Sequence, residues 1–156
     1  LQRLFFLIME IKIYIDGACV GNPGPGGWAA VILTESGKQE IFGGEKLTTN
    51  NRMELTATIK ALEYCNEKEG KQPSLKQIII YTDSIYVKEG ITVWIKNWEK
   101  NNWKTADKKN VKNVDLWKKL KDLIKTNKVE WNWIKGHSND SMNDLADKLA
   151  KKATPI

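Results

Sequence analysis

Four carboxylates stand where a charge has little structural reason to be. Asp16 closes the apolar pattern IKIYID and Asp83 closes IIIYTD. Glu54 opens a helical segment in NNRMEL, and Asp147 lies on the alanine side of another in NDLADKLA. Each has an ordinary reading taken singly. Asp16 with Gly17 could form a turn, and Glu54, three after Asn51, fits a capping box. Asp83 could cap the following helix, and Asp147 could pair with Lys151 one turn on. Together they read differently. Two of them end what should be neighbouring strands, and ligand sites of α/β sheets gather at such ends. Clustered carboxylates repel unless a cation holds them, and Mg²⁺ or Mn²⁺ favours oxygen ligands. The chemistry to expect is metal-dependent.

The elements that must position these groups follow from periodicity. Ile11, Ile13 and Ile15 alternate with Lys12, Tyr14 and Asp16, as in a strand with one face in a core. The run GACVGNPGPGG reads as a turn-rich loop, WAAVILT as a second strand and residues 39–47 as a third; close spacing makes an antiparallel meander. Leu55, Ile59 and Leu62 recur at helical spacing over 51–66, and QIIIYT at 77–82 suits a central strand covered on both faces. A short helix over 84–89 should end at Gly90, and 93–100 suits another. Residues 114–126 form an amphipathic helix, 129–134 a last strand and 141–152 a final helix. This order implies an α/β fold: a mixed five-stranded sheet with helices on both faces.

Gly24-Pro-Gly26-Gly-Trp-Ala29 matches a dinucleotide fingerprint in letters only. That site requires a helix next, and here a strand follows. No Gly-Lys-Ser/Thr is present, which excludes a P-loop. The loop is better read as a connection that brings backbone close to Asp16 and a ligand.

The net charge of +6 is concentrated. Residues 94–128 hold eleven lysines and four acids, a local +7, so the remainder sums to −1. Trp94, Trp98 and Trp103 interleave with these lysines, a mixture suited to nucleic acid because rings stack or pack while ammonium groups meet phosphates. Trp94, Trp98 and Trp117 also recur at helical spacing, which suits packing. Cys19 and Cys65 make no disulfide framework and read as reduced cytosolic thiols, so a cytoplasmic location is expected. No stretch approaches the ~20 apolar residues that span a bilayer. The apolar segment 1–8 is read as an N-terminal extension, before a single domain over 9–156 that needs no second copy.

The strings DGACVGNPGPGGWA, TTNNRMEL, YTDSIYV, WIKNWEKNNWKTADKKNVKNVDLW and WIKGHSND…ADKLA resemble the bacterial type 1 ribonuclease H family (ribonuclease HI) in order and spacing, from about residue 10 to about residue 153. The resemblance implies the ribonuclease H-like fold with a basic helical protrusion, and cleavage of the RNA strand of RNA–DNA hybrids. Asp16, Glu54, Asp83 and Asp147 are then the metal-binding set, and His137, the chain's one histidine, assists as a proton shuttle or in product release. Two Mg²⁺ ions roughly 3.5–4 Å apart would straddle the scissile phosphate, with Mn²⁺ an alternative, leaving 5′-phosphate and 3′-hydroxyl ends.

By the same resemblance, the hybrid is met by the backbone around Gly17 and Cys19 and by Asn22, Thr49 and Asn51. Thr49 and Asn22 match a pocket for a DNA-strand phosphate. Trp94, Trp98, Lys100, Lys104, Lys108 and Lys109 match the protrusion, giving affinity without sequence preference. Contacts to the RNA 2′-hydroxyl distinguish the strands. Three departures stand out. Asn139 replaces a common glycine, Asp144 a usual glutamate, and Glu99 puts an acid into a basic stretch. None removes a carboxylate of the set. A non-catalytic hybrid-binding module is the main rival class, and it predicts loss of at least one of the four acids. A transposase-like core is another, and it lacks both TTNNRMEL and the lysine–tryptophan run.

Overall fold

Side chains that alternate along Met9–Cys19 (β1) face two different layers, and the fold is built around that strand. A computed structural model describes residues 9–69, 76–135 and 141–156. β1 is followed by β2 (Gly24–Thr34), β3 (Gly37–Thr48), α1 (Asn50–Glu69) and β4 (Lys76–Thr82). Then come α2 (Ile85–Glu89), a π-helical turn (Gly90–Trp94), α3 (Ile95–Lys100), α4 (Val114–Thr126), β5 (Val129–Trp133) and α5 (Ser141–Ala153). The sheet order is β3-β2-β1-β4-β5. The first three strands are antiparallel, β4 runs parallel to β1, and β5 runs parallel to β4. This is the mixed five-stranded sheet the sequence implied.

Ile11, Ile13 and Ile15 point to one face, where they meet Leu55, Ile59 and Leu62 of α1 and Trp117 and Leu120 of α4, all buried. Tyr14 and Val31 point to the other face and pack on Ala146, Leu145 and Leu149 of α5. Ile78, Ile79 and Ile80 of the central β4 are all buried, as a strand covered on both sides should be. Burying a side chain such as Ile13 contributes about 1.5–3 kcal/mol.

Two expectations change. The glycine-rich run is mostly strand: β1 continues past Asp16 to Cys19, pairing Gly17, Ala18 and Cys19 with Trp28, Gly27 and Gly26, and only residues 20–23 connect. Its glycines serve close packing more than turning. Gly90 caps α2 at Glu89 as expected, but the chain does not leave the helical path there. Its backbone is right-handed helical (φ −59°, ψ −45°), and the chain runs on through the π-helical turn into α3. The residue must be small because an added Cβ would sit 2.0 Å from the Trp117 ring.

The basic protrusion comprises α3, the loop 101–113 and the start of α4. The loop is tied by Trp103 N to Trp98 O (2.7 Å), Val111 N to Trp103 O (3.0 Å) and a bridge between Lys104 and Asn110. An aromatic chain roots it: Tyr86–Trp94 (centroids 5.5 Å), Trp94–Trp98 (5.8 Å), Trp98–Trp103 (6.1 Å) and Trp98–Trp117 (5.5 Å), with Trp117 fully buried.

Candidate active site

Strand register brings the first two acids together. Tyr14 pairs with Tyr81 in the parallel β1–β4 ladder, so Asp16 and Asp83, each two residues on, emerge abreast at the same end of the sheet. Their tyrosines stack beneath, centroids 4.4 Å apart and 7° from parallel. The ring pair closes the ladder whose register aligns the carboxylates.

Glu54 comes from α1, and the capping-box reading fails. Thr49 caps this helix: its hydroxyl accepts from Arg52 N (3.2 Å), while Asn22 Oδ1 accepts from Asn50 N (2.9 Å). Two acceptors already serve the first turn, so Glu54 is left free to turn inward, where it is 4 % exposed. Gly17 lets it approach. A Cβ there would lie 2.7 Å from Glu54 N and 2.9 Å from the Met53 carbonyl carbon, contacts that real Cβ atoms do not make. Asp83 is likewise relieved of capping, because Ser84 Oγ accepts from Val87 N (3.1 Å).

One carboxylate oxygen each from Asp16, Glu54 and Asp83 lie within 4.8 Å of one another. Asp147 lines the same open cleft as Asp16. Its ion-pair partner is Lys151 Nζ at 3.0 Å, so the ion-pair reading of Asp147 holds alongside the cleft position. Burial first, then the charge of Asp83 and the hydrogen bond that protonated Asp16 can donate to Asp147, push Asp16 up to about 7. Glu54 is pushed well above the usual carboxylate range by burial, then by the charges of Asp16 and Asp83. Glu54 Oε2 is buried without a hydrogen-bond partner. An orphaned carboxylate oxygen facing two further acids suits a hard cation, which would satisfy that oxygen and neutralise the cluster.

The other expected site residues divide by position. Gly17 and Asn51 line the carboxylate cleft, joined by Asn50, Ser84, Ile85 and Tyr86, which sequence reasoning did not single out. Ile85 and Tyr86 carry a local signal, lying two and three residues after Asp83. Cys19 Sγ faces the carbonyls of Gly24 and Thr48 at 3.6 and 3.4 Å. Asn22 and Thr49 act as the caps just described. Trp94 and Trp98 are half-buried in the aromatic chain, whereas Lys100, Lys104, Lys108 and Lys109 are exposed. Glu99 is answered by an ion pair with Lys121 of α4, and Asp144 is exposed in the first turn of α5. His137 and Asn139 lie outside the described residues.

Arg52, beside Asn51, was also missed. It donates to both oxygens of Asp115 (3.1 and 2.9 Å) and to Asn113 Oδ1 (3.2 Å). The Tyr86 hydroxyl accepts from Asn113 Nδ2 and Trp117 Nε1, each at 3.0 Å. The carboxylate-bearing helix is thereby joined to the base of the protrusion.

A mixed sheet in this order, with acids gathered just past the end of the β1–β4 ladder, defines the ribonuclease H-like fold. Comparison agrees: LC9-RNase H1, a type 1 enzyme with the type 2 active-site motif, superposes with a TM-score of 0.82 at 28% identity, covering 94% of this chain and 72% of that one. The family model for RNase H matches residues 9–154, and the chain belongs to the ribonuclease H family. It is 52% identical to the ribonuclease H of Treponema denticola over 155 residues (93% of this chain, 97% of that one). It is 54% identical to that of Methylobacillus flagellatus over 142 residues (91% and 89%). LC11-RNase H1, solved in complex with an RNA/DNA hybrid, shares the fold at a TM-score of 0.70 and 24% identity, covering 92% of this chain and 96% of that one. The protein is thus a nuclease of the class that hydrolyses RNA in RNA–DNA hybrids.

Proposed function

We propose that the chain cleaves the RNA strand of RNA–DNA hybrids by two-metal-ion hydrolysis, without sequence preference, leaving 5′-phosphate and 3′-hydroxyl ends. The observation that carries this is the convergence of Asp16, Glu54 and Asp83 oxygens within 4.8 Å, with Asp147 on the same cleft. These four side chains would hold the divalent cations. The chemistry such cations supply when bound is activation of a water and stabilisation of the departing 3′ oxygen. Mg²⁺ is the proposed ion, with Mn²⁺ able to replace it.

The chain's own groups do the rest. Asp16 and Glu54 hold protons more tightly than ordinary carboxylates, and a bound cation would displace those protons and take the carboxylates as ligands. Asn51 and the backbone at Gly17, which line the cleft, suit the hybrid minor groove, and Asn22, Thr49 and the Cys19 backbone are assigned to the same hybrid. The exposed lysines of the protrusion meet phosphates as point charges, while Trp94 and Trp98 build the platform that carries them. His137 is assigned to proton transfer or product release. The enzyme is proposed to act as a cytoplasmic monomer.

The test uses labelled RNA–DNA hybrid, duplex DNA and duplex RNA, with Mg²⁺ or EDTA, for the native chain and Asp16→Asn. Hybrid cleavage that survives EDTA or the substitution refutes the metal reading. Equal cleavage of all three duplexes refutes the substrate.

A further inference from the structure

Trp133 is the last residue of β5 and 41% exposed. A tryptophan so open on an edge strand is not there for burial alone. Its indole Nε1 donates to the main-chain carbonyl of Asp83 at 3.3 Å. Asp83 occupies an awkward place, beyond the end of β4 and ahead of the Ser84 cap of α2. Its carbonyl belongs neither to the ladder, which ends at the Thr82–Trp133 pair, nor to the helix, whose first bond runs from Lys88 N to Ser84 O.

The surrounding bonds show what the indole adds. Ile134 N donates to Thr82 O at 2.8 Å, which fixes the peptide before Asp83. Ser84 N donates to Thr82 Oγ1 at 3.0 Å, which holds the N–H end of the peptide after it. Trp133 holds the C=O end of that same peptide. With both ends held the plane cannot turn, so the Cα–Cβ direction of Asp83 is set. Lys88 Nζ lies 4.9 Å from the Trp133 ring centroid and packs on its face.

We propose that Trp133 is a positioning residue: its indole N–H locks the Asp83 peptide and holds the carboxylate on the cluster against repulsion from Asp16 and Glu54. This rests on the reading of those carboxylates as a divalent-cation site, and the experiment separates the two. Mn²⁺ is titrated calorimetrically into the native chain, Trp133→Phe and Lys88→Met. Phenylalanine keeps a ring but removes the donor, and Met keeps the packing but removes the cation.

Trp133→Phe should weaken Mn²⁺ binding about three- to tenfold, the scale of one hydrogen bond. It should lower kcat on hybrid by a similar factor with KM within twofold, while Lys88→Met binds Mn²⁺ within twofold of the native chain. In the native protein the Trp133 indole N–H should exchange with deuterium more slowly than a free indole despite the open ring, a readout that needs no variant to fold. Native protein that fails to bind Mn²⁺ refutes the cation site itself. Native binding with unchanged binding by Trp133→Phe overturns the positioning role. So does a rise in KM alone, which would make the ring a hybrid contact, or a Lys88→Met loss equal to that of Trp133→Phe. Exchange as fast as a free indole overturns it as well.

Discussion

Asp16→Asn should abolish cleavage and yet make the metal-free protein more stable at alkaline pH. Burial and the neighbouring charges raise Asp16 from 3.8 to about 7 in the folded state. A folded state that holds its proton more tightly than the unfolded chain is favoured at low pH, so stability falls as pH rises between those two values. The span is 7 − 3.8 = 3.2, which at 1.36 kcal/mol per unit is an upper limit of about 4 kcal/mol lost by pH 7 and above. By pH 5 only 5 − 3.8 = 1.2 of that span is crossed, about 1.6 kcal/mol. Glu54 shifts in the same direction. Asparagine keeps the shape, removes the charge and relieves Glu54, so the variant should exceed the native chain by roughly 2–4 kcal/mol at pH 8 in EDTA, and by less at pH 5. For a chain of this size that is on the order of 4–16 °C in Tm. Saturating Mg²⁺ should close the gap by stabilising the native chain alone. The assay is urea denaturation from pH 5 to 9, with EDTA or Mg²⁺. An Asn variant no more stable than the native chain at pH 8 in EDTA, or a gap that does not change with pH, refutes the reasoning.

Other perturbations have equally defined outcomes. Gly17→Ala places a Cβ 2.7 Å from Glu54 N, so α1 must retreat by at least 3.4 − 2.7 = 0.7 Å to reach ordinary contact. Steady-state kinetics should show kcat lowered about 10- to 100-fold, since ~1 Å of misplacement can cost 10², and activity within twofold of native would contradict the close-approach argument. Gly90→Ala drives a methyl into Trp117 and should destabilise by about 1–3 kcal/mol in urea melts. At 25 °C the folded fraction should retain native kcat. Replacing Lys104, Lys108 and Lys109 together by Ala should raise KM for hybrid with kcat within twofold. It should also flatten the dependence of binding on salt by roughly 0.9 in log–log slope for each phosphate that a lysine no longer neutralises.

Much of this was legible in the chain. Alternating isoleucines located β1, and the unbroken QIIIYT run located a buried β4. The 114–126 periodicity gave α4 to the residue, because one apolar stripe with Leu120 and Trp117 at its centre is a strong signal. The two misread segments share a cause. Glycine is a turn or helix-stop signal only when local geometry decides, and here tertiary contact decides. Gly17 lies inside a strand because α1 crosses it, and Gly90 inside a helical run because the Trp117 ring fills the space where a side chain would go. One acceptor at the start of α1 was out of local sight for a related reason. Asn22, 28 residues from Asn50, supplies an acceptor that no local pattern reveals.

The sequence by itself determined the family, the four acidic positions and the concentration of positive charge, because residue identity and spacing carry that information directly. It left each acid with two readings. The resemblance favoured the metal-binding set, and the folded chain shows where each acid stands. Parallel register set Asp16 beside Asp83, Thr49 and Ser84 took the capping roles, and burial raised the proton affinity of Asp16 and Glu54. Asp147 kept both readings, paired with Lys151 while lining the cleft. Proximity and desolvation belong to the folded state alone, and they bring oxygens of Asp16, Glu54 and Asp83 within 4.8 Å of one another, with Asp147 lining the same cleft.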